Sequence, residues 1–229
     1  MAERSDDPVV VAALTKVVRE DGDLRHIALS SLALKAAPEA LAVLREYRAV
    51  SPLMRMGEPG KEALLEIQAT SPRPTRPRDT DLRVWALEAA CEAFPADAKV
   101  RARAAQELQN PDVRLRAAGV KCQRLTLGQA SIQALRDLVK SADQADVRMA
   151  SAGELGKLGD GFAYDAMMRV LQDVSQSRHD RCGAAFALGE IGNGSAYPAL
   201  RDAVHEGIDC ADVALKKLFV VGDPRRDAR

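Results

Sequence analysis

Aromatic residues are scarce in this chain: Phe, Trp and Tyr together make 3% of 229 residues. The apolar share of 47% is carried mainly by Ala, Leu and Val. That balance disfavours a sheet built on aromatic pairs and favours close-packed helices, an all-α class. Net charge is missing too, with 33 basic against 33 acidic residues. No global field therefore draws in nucleic acid or an anionic membrane. No apolar run approaches the roughly 18 residues that cross a bilayer, so membrane insertion is not expected. The opening MAERSDDPVVVAALTKVVRED sets acids ahead of a short apolar run that Lys16 interrupts. It fits neither a secretory signal nor a transit peptide, and a cytoplasmic location is the expectation. Cysteine is sparse and scattered: Cys91, Cys122, Cys182 and Cys210 form no CxxC pair and no zinc spacing. Reduced, mostly buried thiols are the default for such a set.

What the chain does have is repetition. DVRMASAGELGKLGDGFAYDAMMRVLQD, from Asp146, lies over HDRCGAAFALGEIGNGSAYPALRDAVHE, from His179. Arg148 then matches Arg181, Leu155 matches Leu188, Gly156 matches Gly189 and Gly159 matches Gly192, all at an offset of 33 residues. Weaker copies start at Asp23, Asp81 and Asp112, and a degenerate one at Asp209. The shared grammar is an Asp two positions before an Arg. Small or apolar residues follow that Arg at three, four, seven and ten positions, which traces one face of a helix. After the glycines comes a second, shorter amphipathic helix, as in AYPALRDAVHE.

This pattern resembles the HEAT repeat, and more closely its bacterial variant known from phycobilisome lyases, whose signature is a helix ending in LG-x-[IL]-G. The matching stretches are Leu155-Gly156-Lys157-Leu158-Gly159 and Leu188-Gly189-Glu190-Ile191-Gly192. The resemblance implies a right-handed α-solenoid of HEAT-like helical hairpins. Each hairpin cannot bury its apolar face alone, so hairpins stack and their second helices line an inner, concave surface where such proteins bind. It also implies that the Asp and Arg of the signature bond along the stack, making Arg25, Arg83, Arg114, Arg148 and Arg181 a structural ladder. One such domain is expected over residues 1–229, with an irregular insertion at 51–80 and a disordered tail at 223–229. The insertion holds Pro52, Pro59, Pro72, Pro74 and Pro77. It reads as a linker, one helix near Glu62 to Ala69, and a stiff extended segment. Arg73, Arg76 and Arg78 in that segment read as a solvated connector, with a ligand for a partner or for phosphates as the alternative.

One stretch makes a bid for chemistry. RHDRCGAAFALGEIGNG, residues 178–194, sets His179, Asp180 and Cys182 beside a glycine run. Gly189, Gly192 and Gly194 have neither the dinucleotide nor the P-loop spacing. Glycines recur at Gly156, Gly159 and Gly161. Close helix packing at the first and a left-handed helix end at the second account for both sets. Asp180 reads as a capping group and His179 as exposed, and a lone His makes no metal centre. Deoxyhypusine hydroxylase, an iron enzyme of this architecture, places His-Glu directly after the repeat Arg. Here Cys182-Gly183, Met149-Ala150 and His26-Ile27 stand there. No catalytic residue, cofactor or metal is expected.

Two alternatives remain in view. Lys99, Arg101, Arg103, Arg114, Arg116, Lys121 and Arg124 make a basic middle, which admits a nucleic-acid-binding protein of the alkylpurine-glycosylase type. Helical spacing scatters those cations over several faces, and aromatics for stacking are few. A phycobilin-lyase-like handling of a chromophore is the other, although a shared fold does not carry chemistry. The preferred expectation is a non-catalytic scaffold or adaptor binding another protein on its concave face. Residues one, two, five or nine positions after the repeat Arg point away from the buried stripe. They include Trp85, Glu88, Glu92, Arg116, Met149, Cys182, Phe186 and Glu190. Trp85 and Phe186 are the expected anchors, because a large aromatic outside the core stripe is costly unless covered.

Overall fold

The computed structural model describes residues 7–35, 37–73 and 81–221, with side chains described as far as Leu218. Among them every long element is an α-helix and no strand occurs. In chain order these are α1 (Pro8–Glu20), α2 (Arg25–Leu32), α3 (Pro38–Glu46), α4 (Val50–Leu53), α5 (Glu58–Thr70), α6 (Leu82–Ala93) and α7 (Ala98–Glu107). There follow α8 (Val113–Leu127), α9 (Ile132–Ser141), α10 (Ala145–Lys157), α11 (Tyr164–Gln172), α12 (Arg178–Ile191), α13 (Tyr197–His205) and α14 (Cys210–Val221). The copies of the repeat each open one helix: α2, α6, α8, α10, α12 and α14 are the first helices of their copies. The chain divides into two compact units, Met1–Arg103 and Ala104–Arg229.

In the N-terminal unit α1 packs on α2 and α5 packs on α6. The expected insertion is thus helical over much of its length. Pro59 stands in the first turn of α5, where its missing N–H leaves no hydrogen bond unmade. The helix therefore starts at Glu58 rather than near Glu62. Ala63, Leu64 and Ile67 are buried on its inner face, so this helix is part of the core. Residues 74–80, with Arg76 and Arg78, lie outside the described residues, as does the tail at 223–229.

α5 also buries a charge. Lys61 is 3% exposed, and its ammonium donates to Asp97 at 2.5 Å and to Glu58 at 2.7 Å. The bond to Asp97, then that to Glu58, pushes the Lys61 pKa up to about 12. Lys61 in turn holds the Asp97 carboxyl below its usual range, helped by the backbone N–H of Val100. Asp97 thus contributes stability above the ordinary carboxylate range near pH ~4, and that share is lost as pH falls through its lowered value. The Lys61 share is complete below pH ~10.4 and lost as pH rises through its raised value. Melting temperatures of wild type and Lys61→Met are expected to differ most near pH ~6 and to converge as the pH is taken below about 3. A gap that stays constant across that range would remove the Asp97–Lys61 bond as its source.

In the C-terminal unit the first helices form a row: α8 packs on α10, α10 on α12, and α12 on α14. α9, α11 and α13 pack on α10, α12 and α14 respectively. Leu155, Leu171, Leu188 and Leu200 are fully or almost fully buried in one cluster with Met167, Ala184 and Ala214. The row is tight where the repeat puts its first glycine. A Cβ added at Gly156 would lie 2.5 Å from the Ile191 nitrogen and 2.6 Å from the Glu190 carbonyl carbon. At Gly189 it would lie 2.9 Å from the Ala214 Cα. The second glycine of each copy ends its helix in the left-handed region, with φ of 76° at Gly159 and 72° at Gly192.

Candidate functional site

The Asp-x-Arg signature serves three different purposes. Asp81 and Asp112 each cap a first helix, accepting the backbone N–H of Arg83 and Arg114 at 3.0 Å. Each also grips that same Arg side chain with both carboxylate oxygens. Arg25 donates instead to the Val18 carbonyl at 2.7 Å and lies over the Tyr47 ring. Arg148 donates to the Ala142 carbonyl at 2.7 Å. Arg181, buried, donates to the Leu171 carbonyl at 2.8 Å and pairs with Glu206. Arg148 and Arg181 thus each reach the end of the preceding copy, and further bonds from copy to copy within the C-terminal unit come from other positions. Arg116 holds Asp146 with two contacts, at 2.9 and 3.1 Å, and Arg124 holds Glu154. Glu190 takes Lys217 and, at 4.0 Å, Lys157.

Between these ion pairs lies a groove of about 360 Å³ across α8, α10 and α12. Ala117, Ala150, Gly153, Gly183 and Ala187 make a small-residue floor, with Val113 and Phe186 as apolar walls. Arg114, Asp146, Glu154, Lys157, His179 and Glu190 supply its polar lining. Its carboxylates are all engaged: Asp146 by Arg116, Glu154 by Arg124 and Lys157, Glu190 by Lys217. The lining cations Arg114 and Lys157 are likewise bonded, to Asp112 and Glu154. Phe186 is 45% exposed on this wall.

The eight residues expected to form the contact surface divide sharply. All stand on first helices rather than on the second helices that the repeat's concave face implies, Trp85, Glu88 and Glu92 in the N-terminal unit and the other five in the C-terminal unit. Trp85 is 41% exposed and Glu92 is exposed, while Glu88 is half-buried. Phe186 and Glu190 line the groove. Arg116 is not a contact residue: its guanidinium is consumed by Asp146 and by the carbonyls of Asn110 and Pro111. Met149 also lines the groove, although little of it is exposed. It is buried, because Gly183 on the next first helix has no side chain and the Met149 sulfur fills that space.

Cys182 is not a free contact thiol: it is joined to Cys210 in a disulfide between α12 and α14, the two Cα atoms standing 5.6 Å apart, within bridging range. The expectation of reduced thiols fails, because no described cysteine is free. Ser177 caps α12, accepting the Asp180 N–H at 3.1 Å and donating its hydroxyl to the Asp180 carboxylate at 2.8 Å, and Asp180 stands in the first turn, where its charge favours the positive helix end. His179 is exposed at the groove's edge, and among the described residues no His, Cys, Asp and Glu group is arranged to hold a metal ion.

Other exposed apolar residues recur at fixed places in the repeat. Leu24 and Val113 stand one position before the repeat Arg, Ile27 and Trp85 two after, Phe186 five after and Leu34 nine after. Ile27 shares the register of Trp85, so it was readable from the spacing used to choose Trp85.

Residues 180–206 match the family model described as the PBS lyase HEAT-like repeat. They comprise most of α12, the turn that follows it, α13 and its end. No curated protein matches the chain.

Proposed function

With a PBS lyase HEAT-like repeat present at residues 180–206, we propose that the chain is a non-catalytic α-solenoid scaffold that binds another protein. The binding surface is the groove across α8, α10 and α12, and its anchor is Phe186. One observation carries this: the groove has an exposed aromatic wall over a small-residue floor, while the charges that line it are engaged in ion pairs within the chain.

Such a lining suits an apolar, weakly charged protein segment. A phosphate backbone is bound through cations available to neutralise it, with strong salt dependence. Here Arg114 and Lys157 are already bonded to carboxylates. An apolar side chain entering the groove removes Phe186 from water and meets a floor that admits close approach. No described helix is long and apolar enough to cross a membrane, and the cytoplasm is the compartment we assign.

Phe186→Ala is expected to weaken capture of the chain's protein partner by about tenfold or more, as loss of a buried aromatic anchor does. Trp85→Ala separately tests the exposed first-helix position of the N-terminal unit. Affinity is measured by titration with the captured partner, and circular dichroism checks the helix content. Unchanged affinity in a folded Phe186→Ala protein would remove the groove as the binding surface. Salt-sensitive binding of labelled RNA or DNA by the wild type, lost on changing the basic residues, would replace the protein partner with a nucleic acid.

A further inference from the structure

Three residues on one face of α12 reach the segment that leads into α14. Arg178 pairs with Asp209 at 2.7 Å, Arg181 pairs with Glu206, and Cys182 is bonded to Cys210. Arg178, Arg181 and Cys182 are spaced as neighbours on one helix face. Their partners are spaced the same way in sequence, around Gly207, whose φ of 84° gives the segment a turn that side-chain-bearing residues rarely adopt. The clasp is unequal in strength. Arg178 and Asp209 are both exposed, and an exposed ion pair holds weakly, whereas the guanidinium that holds Glu206 is buried. The covalent link is the member that decides whether the clasp is shut.

We propose that Cys182–Cys210 is a redox latch that sets the position of the first turns of α12, and hence of the groove that α12 walls. This rests on the groove being the binding surface. Cys182 directly precedes Gly183 on the groove floor and lies one turn before Phe186 on its wall. Both cysteines are half-buried, next to the exposed residues His179 and Asp209, so a reductant has access. In a cytoplasmic protein such a bond is transient and redox-sensing rather than a permanent staple.

The reductant is a dithiol, either a small molecule or a protein with a Cys-x-x-Cys pair. One of its thiolates attacks one sulfur of the bridge, forming a mixed disulfide and releasing the other cysteine. Its second thiol displaces the remaining cysteine. The dithiol becomes an intramolecular disulfide, and Cys182 and Cys210 together gain two electrons and two protons. The helix core is left in place, because Ala211 and Ala214 on α14 stay packed in the cluster that holds Leu188.

The test uses the full chain purified without reductant. Peptide-resolved alkylation under denaturing conditions is expected to leave Cys182 and Cys210 unmodified before dithiothreitol and to modify both after it. Cys91 and Cys122, fully buried and themselves disulfide-bonded, are read on separate peptides. Reduction is expected to speed hydrogen exchange of amides 206–214 about tenfold and to lower the melting temperature by about 5 °C, with helix content kept. In Cys182→Ser with Cys210→Ser, exchange of amides 206–214 should match that of the reduced protein and be unmoved by dithiothreitol, and partner affinity should differ from that of oxidised wild type. Free thiols at both positions before reduction overturn the bridge. A bridge whose reduction leaves exchange unchanged overturns the latch. If Phe186→Ala abolishes capture while oxidised, reduced and Ser-substituted proteins bind alike, the groove stands and its redox control falls. If none of these changes alters capture but exchange responds, the latch stands as a structural device and its control of the groove falls with the groove.

Discussion

Replacing Gly156 by Val is expected to destabilise the C-terminal unit by about 3 kcal/mol, a fall in melting temperature of roughly 6–12 °C. The added Cβ would overlap the backbone of Ile191 and Glu190 at 2.5–2.6 Å. Rotation of a side chain cannot relieve a clash with backbone, so α10 and α12 must separate and lose contacts along the row. Gly153, one turn earlier on the same helix, gives the opposite sign. A Cβ there finds its nearest neighbour at 3.9 Å, and Gly153→Ala is expected to stabilise the unit by about 0.5–1 kcal/mol through restricted unfolded-state freedom and better helix propensity. Thermal melts of the two variants decide it. Equal effects would mean that helix propensity, and not the approach of α10 to α12, governs both positions.

The second large effect is expected at Arg181. Its side chain is buried, and it joins the Leu171 carbonyl, at the end of α11, to the carboxylate of Glu206, just past α13. Arg181→Ala takes away both bonds together with the packed stem of the side chain, and an expected cost of about 2–4 kcal/mol follows. Arg148 occupies the same register one copy earlier but donates to the Ala142 and Asp143 carbonyls. Arg148→Ala is expected to cost about 1 kcal/mol. Denaturant titrations that rank the two the other way would show that burial of the guanidinium is not what separates them.

This contrast marks how far the sequence could be read. The repeat placed the first helices at their starts, and the two glycines of each strong copy were assigned the roles that Gly156 and Gly159, and Gly189 and Gly192, hold in the structure. Those features are local or are set by the period. Residue partners across the row were less legible, because they depend on what stands on the neighbouring helix. Met149 has the outward register of its copy and lines the groove, yet its sulfur is held in the space left by the absent side chain at Gly183 on α12, so little of it is exposed. Arg116 has the register of Trp85, yet Asp146 lies within its reach on α10. The bridge between Cys182 and Cys210 spans 28 residues, off the 33-residue period that organises the strong copies, so the repeat gave no signal for it. Pro59 was read as a breaker and is a helix starter, a distinction that depends on whether the preceding residues are already helical.

The candidate groove was legible in part. Met149, Phe186 and Glu190 stand in the outward register, and all three line it. Its floor was not, because Ala117, Ala150 and Ala187 are indistinguishable in sequence from the small residues that fill the core of every copy.

The row of first helices also bears on how fast the C-terminal unit forms. α8, α10, α12 and α14 begin at 113, 145, 178 and 210, so neighbours in the row are separated by only about thirty residues of chain. Closing loops of that length costs little more entropy than closing shorter ones. A unit built from such local pairings grows neighbour by neighbour, without waiting for the chain ends to meet. Its refolding is a millisecond event rather than a matter of seconds.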